Sequence, residues 1–121
     1  MTGFALARLA AASLLLVAAI AGCGSSESGG GGPVATSEVD LPRSYRFAPE
    51  DISVATGTTV TWTNSDNFTH SVQFLDGGLP GEPLVMAPGQ TATFTFDTPG
   101  VFAYQCHLHP RDMTGSGTVA D

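Results

Sequence analysis

Lysine is missing from the chain, and the basic residues are the arginines Arg8, Arg43, Arg46 and Arg111. Against 11 acidic residues they leave a formal charge of −7. So sparse a positive charge cannot neutralise a run of phosphates, which excludes a nucleic-acid role. Charge of either sign is scarce, at 12% of residues. Cysteine is scarcer: Cys23 and Cys106 are too few for a disulfide-dense mini-protein or a four-thiolate metal site. At 121 residues the chain fits one small domain and excludes most large enzyme folds. Beyond residue 23 there is no long apolar run and no helical period. What is abundant is Gly (15) and Pro (8), a turn-rich composition that favours short strands.

Residues 1–22 read as an address. Arg8 precedes the apolar run from Leu9 to Ala21, which ends in Gly22-Cys23. A basic start, a short apolar core and small residues at its end describe an export signal. The run is too short and too rich in small residues for a membrane span. Ile20-Ala21-Gly22-Cys23 resembles the bacterial lipobox, which implies that Cys23 is lipidated and becomes the first mature residue. An ordinary signal peptide cut nearby, with Cys23 incidental, is the alternative. The Gly/Ser-rich segment that follows has nothing to bury, so residues 23–42 are expected to be a flexible tether, reaching on the order of 20 Å by about Ser37. The folded domain is expected over residues 43–121.

Within that domain the signal is alternation. Val60 and Trp62 share one face, as do Ala92, Phe94 and Phe96, then His70, Val72 and Phe74, then Phe102, Tyr104 and Cys106. Period-2 patterns of aromatic and β-branched residues argue for strands with one buried face. Shorter strands are expected around Tyr45–Ala48, Ile52–Ala55 and Gly115–Ala120, with turns at Gly57, Asn64–Asn67, Pro88-Gly89 and Pro99-Gly100. The expected fold is all-β: an antiparallel Greek-key β-sandwich of about seven to eight strands. Leu75–Gln90 reads as a long loop.

Chemistry concentrates in Cys106-His107-Leu108-His109-Pro110-Arg111-Asp112-Met113, and His70 opens another strand 36 positions upstream of Cys106. Soft sulfur donors with imidazole favour copper, and two His, one Cys and a weak axial Met are the blue-copper arrangement. Zinc suits Cys and His, but structural zinc seldom recruits Met. A binuclear copper centre would need a second Cys in the 106–113 loop, and none is there. Pairing of Cys106 with Cys23 is the competing use of the thiol, and Met86 is a rival sulfur. By strand alternation His107 is expected to point away from Cys106 into solvent.

Residues 44–120 resemble the cupredoxins, specifically small plastocyanin- and amicyanin-like domains. The resemblance rests on Phe47-Ala48-Pro49, Val60-Thr61-Trp62-Thr63-Asn64, Asp66 with His70-Ser71-Val72, Pro99 to Cys106, and the closing His109, Met113 and Gly115. It implies one copper ion held by His70, Cys106, His109 and axial Met113, with Asn64 and Ser71 hydrogen-bonding near the thiolate. The implied function is one-electron transfer and not enzymatic catalysis, by a monomer lipid-anchored on the outer face of a bacterial membrane. Partners would be redox proteins, such as a basic cytochrome or a membrane oxidase or dehydrogenase. The basic face is expected because Asp66, Asp76, Glu82 and Asp112 are assigned to loops at the copper end, with only Arg111 opposing them, and Leu79, Leu84 and Val85 are assigned to an apolar patch there. A copper-delivery protein using the same ligands and a metal-free interaction module are the alternatives.

Overall fold

The computed structural model describes residues Gly32–Asp121, so the export signal and Cys23 lie outside the described residues. The strands are β1 (Val34–Ala35), β2 (Glu38–Leu41), β3 (Asp51–Ala55), β4 (Thr58–Asn64), β5 (His70–Phe74), β6 (Leu84–Met86), β7 (Thr91–Phe96), β8 (Gly100–Gln105) and β9 (Thr114–Ala120). They build a β-sandwich from a six-stranded sheet, β1-β3-β9-β8-β5-β6, and a three-stranded sheet, β2-β4-β7.

The sheets are mixed, which corrects the expectation of antiparallel pairing throughout. β1 with β3, β3 with β9 and β2 with β4 are parallel. The cause is the path of the chain. Each strand runs opposite to the one before, and the early strands alternate between sheets. Neighbours an even number of strands apart therefore run the same way, while β4–β7, β5–β8 and β8–β9 are antiparallel.

Two boundaries also move. β1 and β2 lie inside residues 23–42, the expected tether. Val39 and Leu41 are buried beside β4, so β2 supplies core. The strand expected at Tyr45–Ala48 is a turn, with only a bridge between Asp40 and Ala48. Ser44 and Tyr45 take left-handed backbone there, at φ 120° and 52°. The long loop contains β6, an edge strand paired to β5.

The expected apolar faces otherwise meet between the sheets. The Trp62 ring packs edge-on against Tyr104 (5.5 Å between ring centroids) and Phe74 (6.2 Å), and Phe47 closes on Tyr104 at 5.0 Å. Burial pushes the Tyr104 phenol up in pKa, and its hydroxyl donates to the Glu50 carbonyl at 3.2 Å. Each large ring fully removed from water stabilises the fold by roughly 1.5–3 kcal/mol. The threonines opposite remain outside, where Thr59 and Thr95 share a 2.7 Å hydrogen bond across β4 and β7. This core fixes the strand ends on which the functional side chains sit.

Candidate metal centre

β4 ends, β5 begins, β8 ends and β9 begins at one end of the sandwich, and there the structure gathers the expected donors. Cys106 directly follows β8 and Met113 directly precedes β9. The backbone N–H of Cys106 donates to the Met113 carbonyl at 3.0 Å, which clasps the base of the loop between them. Inside the loop the N–H groups of His109 and Met113 donate to the carbonyls of Cys106 and His109, each at 3.0 Å. Cys106, Met113 and His70 are each 0% exposed.

His70 opens β5 opposite Met86. Its Nε2 lies 2.8 Å from Oδ2 of Asp66, while Nδ1 lies 3.8 Å from the Cys106 sulfur. With Nε2–H donating to the carboxylate, the Nδ1 lone pair faces the thiol. Held this way, a histidine presents one defined nitrogen to a metal. The His70 hydrogen bond is the main cause holding the Asp66 carboxyl below its ordinary pKa, against burial; Asn67 N–H and the charges of His70 and Arg43 assist. His109 stands beside His70 with ring centroids 5.2 Å apart. Among the described residues, no three His, Cys, Asp or Glu side chains stand close enough together to hold a metal ion by themselves. The thiol–imidazole and imidazole–imidazole neighbours instead share one buried end.

Ser71 donates its backbone N–H to the Cys106 sulfur at 3.3 Å, with its hydroxyl 3.9 Å away. Asn64 does not reach the thiol. Its amide donates to the carbonyls of Phe68 (2.8 Å) and Met86 (2.9 Å), and its Oδ1 accepts the Asp66 N–H, so it braces the loop that delivers His70. His107 corrects the expectation of a solvent-facing ring. β8 stops at Gln105, so strand alternation does not extend to position 107. The His107 N–H instead donates to the Ser71 hydroxyl at 3.0 Å, and that hydroxyl shares a 2.6 Å hydrogen bond with Nδ1 of His107. This cover also buries Ser71, which alternation alone would leave outside.

Cys106 is a free, buried thiol among the described residues. Met86, the rival sulfur, is buried beside His70 as well. Tyr45 is a contact the sequence did not reveal. Its ring lies 4.7 Å from that of His109 and 5.9 Å from that of His70, and stacks on Phe68 at 6.2 Å. Nothing in the pattern around residue 45 announces this, because the placement depends on the left-handed turn. The Asp66 contact is likewise new; its one trace in the sequence is an acid four residues ahead of His70 in a turn segment.

The expected acidic surround forms only in part, with Asp112 exposed in the 106–113 loop. Asp66 is buried against His70, and Asp76 and Glu82 lie in the connection from Phe74 to β6, which Gln73 ties back by donating to the Gly81 carbonyl at 3.1 Å. Leu79 goes with them, whereas Leu84 and Val85 pair with Val72 and Ser71.

A buried thiol beside an oriented imidazole, with a second imidazole and two thioethers at the same end of a β-sandwich, defines a soft-metal-binding domain of cupredoxin type. Residues 36–120 match the family model for copper binding proteins of the plastocyanin/azurin family, and the chain belongs to that family. A chloroplast plastocyanin of Physcomitrium patens is 32% identical over 124 residues, covering 94% of this chain and 68% of its own. Amicyanin-alpha of Methylorubrum extorquens is 31% identical over 111 residues, covering 88% and 91%. Among solved structures, a purple cupredoxin from Nitrosopumilus maritimus superposes with a TM-score of 0.62 at 28% identity, covering 70% of this chain and all of that one. The Cu(I) form of an amicyanin variant superposes at 0.61 with 32% identity, covering 71% and 85%.

Proposed function

We propose that the protein is a one-electron carrier with a mononuclear type 1 copper site, tethered to the outer face of a bacterial membrane. The observation that carries the reading is the approach of His70 Nδ1 to the buried Cys106 sulfur, with Nε2 engaged by Asp66. The donor set fits the ion: His70 and His109 nitrogens and the Cys106 sulfur as strong ligands, with Met113 as the weak one. Copper, when bound there, supplies a Cu(I)/Cu(II) couple. The chain's own groups do the rest. Asp66 and Asn64 hold the His70 ring, the Ser71 N–H donates to the sulfur, and the core excludes water from it. Protein donors in all four positions leave no opening for a substrate, so the site carries electrons and catalyses no bond chemistry.

Asp66→Asn keeps the shape but removes the charged acceptor that orients His70. Copper affinity, read by competition with a chelator of known strength, is expected to fall about 10- to 100-fold. Unchanged affinity would show that Asp66 merely fills space.

Met113 would be the weak ligand on this reading: its buried side chain sits at the base of the ligand loop, where its carbonyl accepts the Cys106 N–H. Met113→Gln offers a harder oxygen, which favours Cu(II), and should lower the reduction potential in voltammetry. A shift with Met86→Gln and none with Met113→Gln would transfer that role to Met86.

For the tether, Cys23→Ala is expected to move the protein from the membrane to the soluble fraction, because no other apolar anchor remains once the signal is cut. Retention of the variant would point to an uncleaved helix or a tight protein partner. The protein works as a monomer that meets a cytochrome domain or a membrane oxidase or dehydrogenase. A copper-delivery role would use the same residues and is separated by whether the metal passes to an acceptor during redox cycling.

A further inference from the structure

The hydroxyl of Ser71 stands among three groups and has one proton to give. Its oxygen is 3.0 Å from the His107 backbone nitrogen, 2.6 Å from His107 Nδ1 and 3.9 Å from the Cys106 sulfur. The backbone N–H only donates, so the hydroxyl accepts there. Of the three groups, Nδ1 and the sulfur are left to receive its proton. Ser71 is 0% exposed, so water does not compete for it.

The distances decide between the two. At 2.6 Å the contact with Nδ1 is a short hydrogen bond, whereas 3.9 Å is at the outer reach of one to sulfur. Nδ1 can accept when the ring proton sits on Nε2, and the surroundings suit that tautomer. The His107 ring is half-buried, and Trp62 Nε1 is the one buried side-chain nitrogen or oxygen without a partner among the described residues. Solvent therefore reaches His107 Nε2 and can take its N–H. The sulfur then receives one close donor, the Ser71 backbone N–H at 3.3 Å.

We propose that His107 is a positioning residue for the redox site: its ring holds the Ser71 hydroxyl away from the Cys106 sulfur, so that the thiolate receives one hydrogen bond instead of two. The inference rests on the type 1 copper reading for its effect on potential, while the hydrogen-bond arrangement belongs to the chain alone. A hydrogen bond to the sulfur withdraws electron density that it shares with copper. That weakens the Cu(II) bond more than the Cu(I) bond and raises the reduction potential. By occupying the hydroxyl, His107 keeps the potential low.

The test uses the full chain with Cys23→Ala, loaded with copper and followed by voltammetry and visible spectroscopy. His107→Phe keeps a ring but puts carbon in place of Nδ1, which releases the hydroxyl to the sulfur. The Cu(I)/Cu(II) ratio at a fixed potential is expected to rise about tenfold, equivalent to about 59 mV for a one-electron couple. The visible band should move to shorter wavelength with it. His107→Asn restores an acceptor, its side-chain oxygen, and should hold both values near those of the parent. Ser71→Ala should do the same, because the backbone N–H remains on the sulfur, and in that background His107→Phe should have no effect. An unshifted His107→Phe, a rise that survives in the Ser71→Ala background, or a tenfold fall with Ser71→Ala alone would each overturn the proposal. In the metal-free protein, imidazole nitrogen NMR should show His107 Nδ1 without a proton, and a proton found there would also overturn it. Failure of the copper reading looks different: none of these proteins forms a coloured site, whatever the imidazole nitrogens show.

Discussion

Cys106→Ser is expected to abolish the intense visible absorption of the copper-loaded protein and to leave the domain folded. The sulfur is 0% exposed and lies between the Ser71 N–H at 3.3 Å and His70 Nδ1 at 3.8 Å. Serine places a shorter, harder, un-ionised alcohol there, which cannot donate charge to copper as a thiolate does. Its hydroxyl can accept from the Ser71 N–H, so the buried polar group is not orphaned and the fold cost stays near 1 kcal/mol. Spectra and denaturant midpoints on the same sample separate the two effects. A serine variant that keeps the colour would mean that another sulfur, Met86 or Met113, dominates the spectrum.

Gly115→Ala should have the largest effect on stability of any single-methyl change in the domain. Gly115 pairs with Tyr104 across β8 and β9. A Cβ at this position would run into the Glu50 carbonyl and come within 2.7 Å of Tyr104 Cε1. Neither neighbour can withdraw. The Tyr104 ring is wedged between Phe47 and Trp62, and its hydroxyl bonds the same carbonyl. Overpacking of this kind costs about 1–3 kcal/mol, and more where backbone must move, so a loss of about 3 kcal/mol or greater is expected. Gly117→Ala is the control: its Cβ would meet Phe96 Cζ at 3.4 Å, an ordinary contact, and should cost under about 1 kcal/mol. Equal denaturation midpoints for the two variants would contradict this packing.

Period-2 patterning made β3, β4, β5, β7, β8 and β9 legible, because each has a face that must leave water. β1 and β2 were hidden by their neighbour. A Gly/Ser run reads as tether, and the Val39/Leu41 alternation beside it is too brief to outweigh that composition. Parallel pairing was illegible for another reason. It follows from which sheet each strand joins, and no local pattern records that choice.

At the site, residue type carried most of the information. Cys106, His107, His109 and Met113 are close in sequence, so one loop had to bring them together. What local reading lacked were contacts made across the fold: Ser71 on His107, Asp66 on His70, and Tyr45 on His109. The misplaced acids teach the same point. Asp76 and Glu82 are loop residues, as expected, but their loop runs alongside β5 and β8, where Leu75 N–H bonds the Ala103 carbonyl and Gln73 bonds that of Gly81, and not among the loops that carry the ligands.

The central claim is that Cys106, His70 and His109 form a type 1 copper site. Its most direct test is titration of the purified wild-type domain with Cu(II), followed by visible spectroscopy. One equivalent should produce an intense visible band that saturates, bleaches with a one-electron reductant and returns on reoxidation. A colourless domain with one Cu(II) stoichiometrically bound would contradict it.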